Sequence, residues 1–261
     1  MILVTGATGF VGKKLMDCME NVVAAPSLRE ASVDDLKRIL DKNDIDTIIH
    51  TAAVSDIPTC AANPEVSYRA NVVLPVNLVK AAEGRKLICF SSDQVYSDCK
   101  EEGPYTEAMV NPGNLYAEQK LEMENRVLDI DSNAVMLRAE WMYDYIAPKP
   151  NFYLNMIHAD GEVSIGFQQY RGVTYLQEVV ENMEQVCNLP GGAYNFGSET
   201  NQSMQELTGE FLAFLGKDLP LKDLGERHNL WMDCSKAKAG GVVFSDTLEG
   251  LKRCAKDQKI V

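Results

Sequence analysis

The sequence predicts an α/β chain: a doubly wound parallel sheet with helices on both faces and a smaller C-terminal lobe. Three observations predict it. The chain opens on an apolar run, Ile2-Leu3-Val4, followed by glycines at 6, 9 and 12 and a helical pattern from Lys13. Short apolar runs then alternate with helical patterns to about residue 145, the rhythm of parallel strands joined by crossover helices. Finally, 261 residues with 46% hydrophobic content supply the core of one large unit or two unequal ones.

The first element is a strand, a glycine turn and a helix, the order a dinucleotide needs. Small residues let the backbone approach a pyrophosphate, and a helix N-terminus offers N–H donors and positive dipole. The spacing of Gly6, Gly9 and Gly12 is GxxGxxG rather than GxGxxG, so the preceding strand carries much of the signal. Val22 to Ala25 is a second strand. No acid stands at its end, and Ser27, Arg29 and Lys13 become candidates for a 2′-phosphate, which would favour NADP over NAD. Ser32-Val33-Asp34-Asp35 reads as a capping box opening a helix to about Lys42. Asp46 to His50 is a strand ending in Thr51-Ala52-Ala53, small residues that allow a nucleotide to lie close. His50, in an apolar run, reads as a packed histidine rather than a catalyst.

Asn63-Pro64 starts a helix that runs to about Gly84, with Pro75 predicting a kink or break. Lys86 to Phe90 is a strand leading into Ser91-Ser92-Asp93. Asp98 to Asn114 is a loop, Leu115 to Leu128 a helix and Ala134 to Leu137 a strand. In such sheets ligands sit beyond the carboxyl ends of the strands, where the glycine turn, Thr51-Ala52-Ala53 and Ser91-Ser92-Asp93 all fall. After Tyr145 the alternation weakens. Helices are expected at Phe152–Ile157, Tyr175–Val186 and, from a capping box at Ser203–Glu206, to Leu215, with a strand at Ala193–Phe196. Residues 1–145 form the Rossmann-type domain, with a return segment near 171–197, and 146–261 mainly the lobe over the strand ends.

A formal charge of −13 argues against nucleic acid or an anionic membrane as partner. Seven cysteines, at 18, 60, 89, 99, 187, 234 and 254, show neither CxxC nor a metal-like cluster. They read as reduced, buried thiols of a cytoplasmic protein without a metal site. No apolar run reaches the length of a membrane span.

Three side chains carry the chemistry: Ser92 at a strand end, and Tyr116 with Lys120, four apart on one helix face. An unperturbed tyrosine is a poor acid–base catalyst near neutrality. A neighbouring ammonium and a nicotinamide's positive charge favour the phenolate, so the tyrosine can exchange a proton with an oxygen whose carbon exchanges hydride. Ser92 can donate to that oxygen as its charge grows.

With a glycine turn, a strand-end serine and YxxxK in that order, the chain resembles the extended short-chain dehydrogenase/reductase family, the NAD-dependent epimerase/dehydratase superfamily. FSSDQVYSD at 90–98, GPYTE at 103–107, NPGNLYAEQK at 111–120, LRAEWMY at 137–143, SYRAN at 67–71 and MDCSK at 232–236 are similar to the dTDP-4-dehydrorhamnose reductase group within it. The resemblance covers nearly the whole chain. It implies Ser92, Tyr116 and Lys120 as the catalytic set, NADP or NAD as cofactor, and Gly6, Thr8, Phe10, Val11, Ala52, Ala53 and Asn71 along it, with Lys120 also on the nicotinamide ribose. It puts Asp93, Trp141 and Gln169 against a nucleotide-linked sugar and suggests a homodimer.

Dehydratases of this family carry Asp-Glu where this chain has Asp93-Gln94, and an amide cannot do that proton work, so simple reduction of a 4-keto-6-deoxy sugar is expected. A sugar-nucleotide epimerase with tightly held NAD is an alternative. Another is a cofactor-binding regulatory subunit without turnover, resembling the methionine adenosyltransferase beta subunit. The chain departs from the group at Glu140, where a Ser or Thr is usual, at Arg29 and in Gly166–Thr174.

Overall fold

The N-terminal apolar run is β1 (Ile2–Thr5), and the glycine turn delivers the chain into α1 (Phe10–Cys18). In the computed structural model, which describes residues 1–147, 149–225 and 229–261, β1 lies between β2 (Val22–Ala24) and β3 (Thr47–His50). Between β2 and β3 runs α2 (Val33–Lys42), its N-terminus closed by the reciprocal Ser32–Asp35 box. Short α3 (Ile57–Ala62) and α4 (Pro64–Tyr68) lead to α5 (Leu74–Ala82), and β4 (Lys86–Ser92), α6 (Leu115–Ile130) and β5 (Val135–Ala139) extend the sheet.

Pro75 marks a break, as expected, but the break is a π turn at Arg69–Val73 just ahead of it. Pro75 has no N–H for the Asn71 carbonyl four residues back, and widening the turn accommodates that loss. Asn63, read as a helix cap, makes no side-chain cap and instead reaches the Thr59 carbonyl at 3.4 Å.

Beyond β5 the chain leaves the sheet through β6 (Trp141–Tyr143), α7 (Phe152–His158) and β7 (Val163–Ile165). It returns by β8 (Val173–Tyr175), α8 (Leu176–Glu181) and α9 (Met183–Asn188) to β9 (Gly192–Phe196), which pairs with β5. The expected single helix over Tyr175–Val186 is therefore a strand end and two helices. Asn182 divides them, its side chain exchanging two hydrogen bonds with Val243. The chain ends with α10 (Met204–Phe214), β10 (Leu221–Asp223), α11 (Ser235–Ala239) and α12 (Thr247–Asp257).

The main sheet is parallel throughout, in the order β2-β1-β3-β4-β5-β9. It is a Rossmann-type sheet whose first half has two strands rather than three. The direction of winding reverses between β1 and β3, and the crevice there is where such sheets bind ligands. Leu36, Leu78, Met123 and Val127 cover one face, and Leu15, Leu176, Val179, Met183 and Val186 the other. A third cluster, with Tyr143, Tyr153, Tyr175, Phe211 and Leu251, forms the lobe, with small pairs β6–β8 and β7–β10 beside it. No helix among the described residues is long and apolar enough to cross a membrane.

Candidate active site

A cleft of about 760 Å³ opens at the carboxyl edge of the sheet, over that crevice. Thr8, Gly9, Phe10, Val11 and Gly12 form its wall at the start of α1, and Thr51, Ala53 and Ser55 the wall after β3. Gly6 and Gly12 work as packing residues. Gly6 sits at φ +67, where an added Cβ would lie 2.8 Å from the Ala52 nitrogen, and a Cβ on Gly12 would overlap the Gly6 carbonyl. Gly9 is less confined, its Cβ meeting only the Gly6 carbonyl at 3.2 Å. Together they seat the helix N-terminus against the crevice, leaving a backbone-lined cradle that fits a pyrophosphate.

Ser92, Tyr116 and Lys120 come together at the cleft floor. The Ser92 hydroxyl ends β4, accepts from the Gln94 amide at 3.2 Å, donates to Asp93 at 3.1 Å and lies near enough to the Tyr116 phenol to bear on its pKa. Lys120 is 2% exposed; its Nζ donates to the Phe90 carbonyl at 2.7 Å and lies 5.9 Å from the Tyr116 ring centroid. Burial lowers the Lys120 pKa to about 8. Burial also pushes the Tyr116 phenol well above its ordinary range, against the smaller effect of the Ser92 hydroxyl. Tyr116 is thus a neutral phenol, the form that can give a proton away. The lowering expected of Lys120 together with a nicotinamide's positive charge concerns the cofactor-loaded site. His50 is packed as read: Thr5 Oγ1 lies 2.8 Å from its Nδ1, and burial lowers its pKa to about 3.

Of the other expected contacts, Ala53, Asp93 and Trp141 line the cleft. Gly6 and Ala52 pack behind the wall. Asn71 is buried, exchanging two hydrogen bonds of 2.9 Å with the Val54 backbone and donating to Gln119 on α6 at 2.9 Å. It ties the loop after β3 to the helix of Tyr116 rather than facing the cleft. Ser27 and Arg29 are exposed beyond β2 and outside the lining; Gln169, half-buried between β7 and β8, is also outside the lining, and Lys13 pairs with Asp17 at 3.1 Å.

The sequence reading missed Arg171, whose guanidinium reaches Asp93 at 2.9 Å and stacks over Trp141 at 5.0 Å. It also missed the buried network under the catalytic helix. Glu124, one turn beyond Lys120, takes three bonds of 2.7 to 3.1 Å from Arg138, and Arg138 reaches the Tyr96 hydroxyl at 2.9 Å. The spacing of Tyr116, Lys120 and Glu124, each four apart, was the available signal.

The family described as the RmlD substrate binding domain matches residues 1–218. The dTDP-4-dehydrorhamnose reductase of Mycolicibacterium smegmatis is 28% identical over 202 residues, 72% of this chain and 60% of that protein. The methionine adenosyltransferase 2 subunit beta of Bos taurus is 32% identical over 158 residues, 54% of this chain and 47% of that protein. The matches thus span less than two thirds of these curated relatives. Among solved structures, dTDP-4-dehydrorhamnose reductase from Bacillus anthracis in complex with NADP superposes with a TM-score of 0.86 over 98% of this chain and 97% of that one, at 19% identity. At that identity the likeness establishes the fold.

Proposed function

The chain belongs to the RmlD substrate binding domain family, and on that premise we propose that it is an NADP- or NAD-dependent oxidoreductase reducing the 4-keto group of a nucleotide-linked 6-deoxy sugar. The observation that carries the reading is that Ser92, Tyr116 and a buried Lys120 line one cleft at the carboxyl edge of the sheet together with the glycine turn. The bacterial relatives named as reductases, one of them bound to NADP, support it. The reduced cofactor would supply the hydride for the carbonyl carbon. Tyr116 gives its proton to the oxygen, Ser92 donates to that oxygen as negative charge builds, and Lys120 holds the ribose and positive charge beside the phenol. Thr8 to Gly12 would receive the pyrophosphate, Thr51 to Ala53 the nucleotide, and Asp93 and Trp141 the sugar. The same reading places the protein in the cytoplasm as a homodimer, the latter open to light scattering.

Following NADPH absorbance with nucleoside-diphosphate 4-keto-6-deoxyhexoses tests the reaction. Turnover that Tyr116→Phe abolishes supports it; absence of turnover with every such sugar defeats it. A second reading, a regulatory subunit that binds the cofactor without turnover, draws on the bovine relative. Co-purification with a catalytic partner, without turnover, would favour it.

A further inference from the structure

At the sugar end of the cleft, Glu140 follows directly on Ala139, the residue paired with Ser92 across β4 and β5. Glu140 is among the residues that line the cleft and is almost wholly buried, 6% exposed. The surroundings are shaped to hold it. Thr174 donates to Oε1 at 2.5 Å, and the Ser198 amide donates to that Thr174 hydroxyl at 2.9 Å, holding it in place. Glycines at 172 and 197 leave its space: a Cβ on Gly197 would stand 2.5 Å from the carboxyl carbon, and one on Gly172 would overlap Oε2.

The Glu140 carboxyl has a place but, among the described residues, no counter-ion. Among the described residues no Lys or Arg forms an ion pair with it. The cation whose charge it feels, Arg171, is engaged by Asp93 at 2.9 Å and stacked on Trp141. Arg171 also leaves its buried Nε without a hydrogen-bond partner. This end of the cleft thus offers an unused donor and a carboxyl that lacks its cation. Burial and the neighbouring Asp93 hold Glu140 protonated, with a pKa of about 8. A sugar carboxylate would meet two acids here. A ligand ammonium would supply the missing cation, and a ring oxygen could accept from Arg171.

We propose that the sugar taken by this cleft carries a free amino group close to its carbonyl, with Glu140 as the partner of the ammonium. The proposal rests on the reduction reading and narrows its substrate class. Glu140 acts as a specificity-determining residue; hydride and proton transfer proceed as above.

The test compares three nucleoside-diphosphate 4-keto sugars alike except for one substituent near the carbonyl: amino, N-acetylamino or hydroxyl. The wild-type protein should favour the free amine by at least about tenfold in kcat/KM, and Glu140→Gln should bring the ratio near one. Calorimetry on the wild-type protein gives a readout independent of both turnover and the variant. At pH 7, binding the amine in two buffers of different ionisation heat should show close to one proton released, and the N-acetyl form none. Asp93, Arg171 and Cys234 are the other ionisable groups acting on or through Glu140. Turnover of all three sugars without preference, or amine binding without proton release, overturns the proposal while leaving reduction intact. No turnover of any 4-keto sugar removes the reduction reading and this inference together.

Discussion

Two buried glutamates, one on α6 and one just past the end of β5, make opposite uses of the same side chain. Glu124, on the catalytic helix, faces Arg138 through three hydrogen bonds and takes a fourth from Ser91 at 2.5 Å. Glu140, at the cleft, takes one hydrogen bond, from the Thr174 hydroxyl, and among the described residues pairs with no cation. The first carboxylate is a closed account: its charge is balanced inside the protein and holds α6 on β4 and β5. The second is left to be balanced from outside. In a buried charge, then, the completeness of its partner set separates a structural role from one open to a ligand.

The largest effect should come from the floor of the cleft. Tyr116→Phe removes the proton donor while keeping the ring and should lower kcat by about 10²–10⁴, with the thermal midpoint nearly unchanged. A parallel loss of stability would make Tyr116 a packing residue. Next, Arg138→Met strands Glu124 without its cation and should cost about 3–5 kcal/mol in denaturant unfolding. A cost near zero would remove the contrast between the two glutamates.

A smaller effect tests the niche. Gly197→Ala drives a methyl against Glu140 and should cost about 1–3 kcal/mol. In a Glu140→Ser background most of that cost should vanish, a coupling that a double-mutant cycle reads directly. The last prediction concerns pH. Because Glu140 titrates at about 8 when folded and near 4.5 when unfolded, the folded state retains a proton that the unfolded state loses between those values. Its contribution to stability therefore falls as pH rises from about 4.5 to 8. Glu140→Gln should remove that component, gaining on the wild-type protein in unfolding free energy at pH 8 relative to pH 5. Identical pH slopes would show that Glu140 is already ionised.

The half of the molecule with regular elements was legible because its signals are local. A strand, a glycine turn and a helix occupy adjacent residues, and Ser32 and Ser203 each announce a helix by an acid three residues on, Asp35 and Glu206. Tyr116 and Lys120 declare themselves by helical spacing. The lobe was less legible because β6, β7, β8 and β10 are three residues each, too short for a period to register. Helix α12 did carry a signal, the Asp246 cap with Glu249 three residues on, and the sequence reading passed over it. The partners of Glu124 and Glu140 lie 14 and 34 residues away, and the niche depends on glycines from two separate loops.

The position of β9 bears on how the protein is made. Its strand completes the main sheet beside β5, yet it is translated only after the whole excursion through β6, α7, β7 and β8. A nascent chain halted near residue 145 would present the flank of β5, with its unpaired backbone groups, to the crowded space at the ribosome exit. The two halves of this fold are therefore not separable products, and a fragment cut at the apparent boundary should aggregate where the intact chain does not.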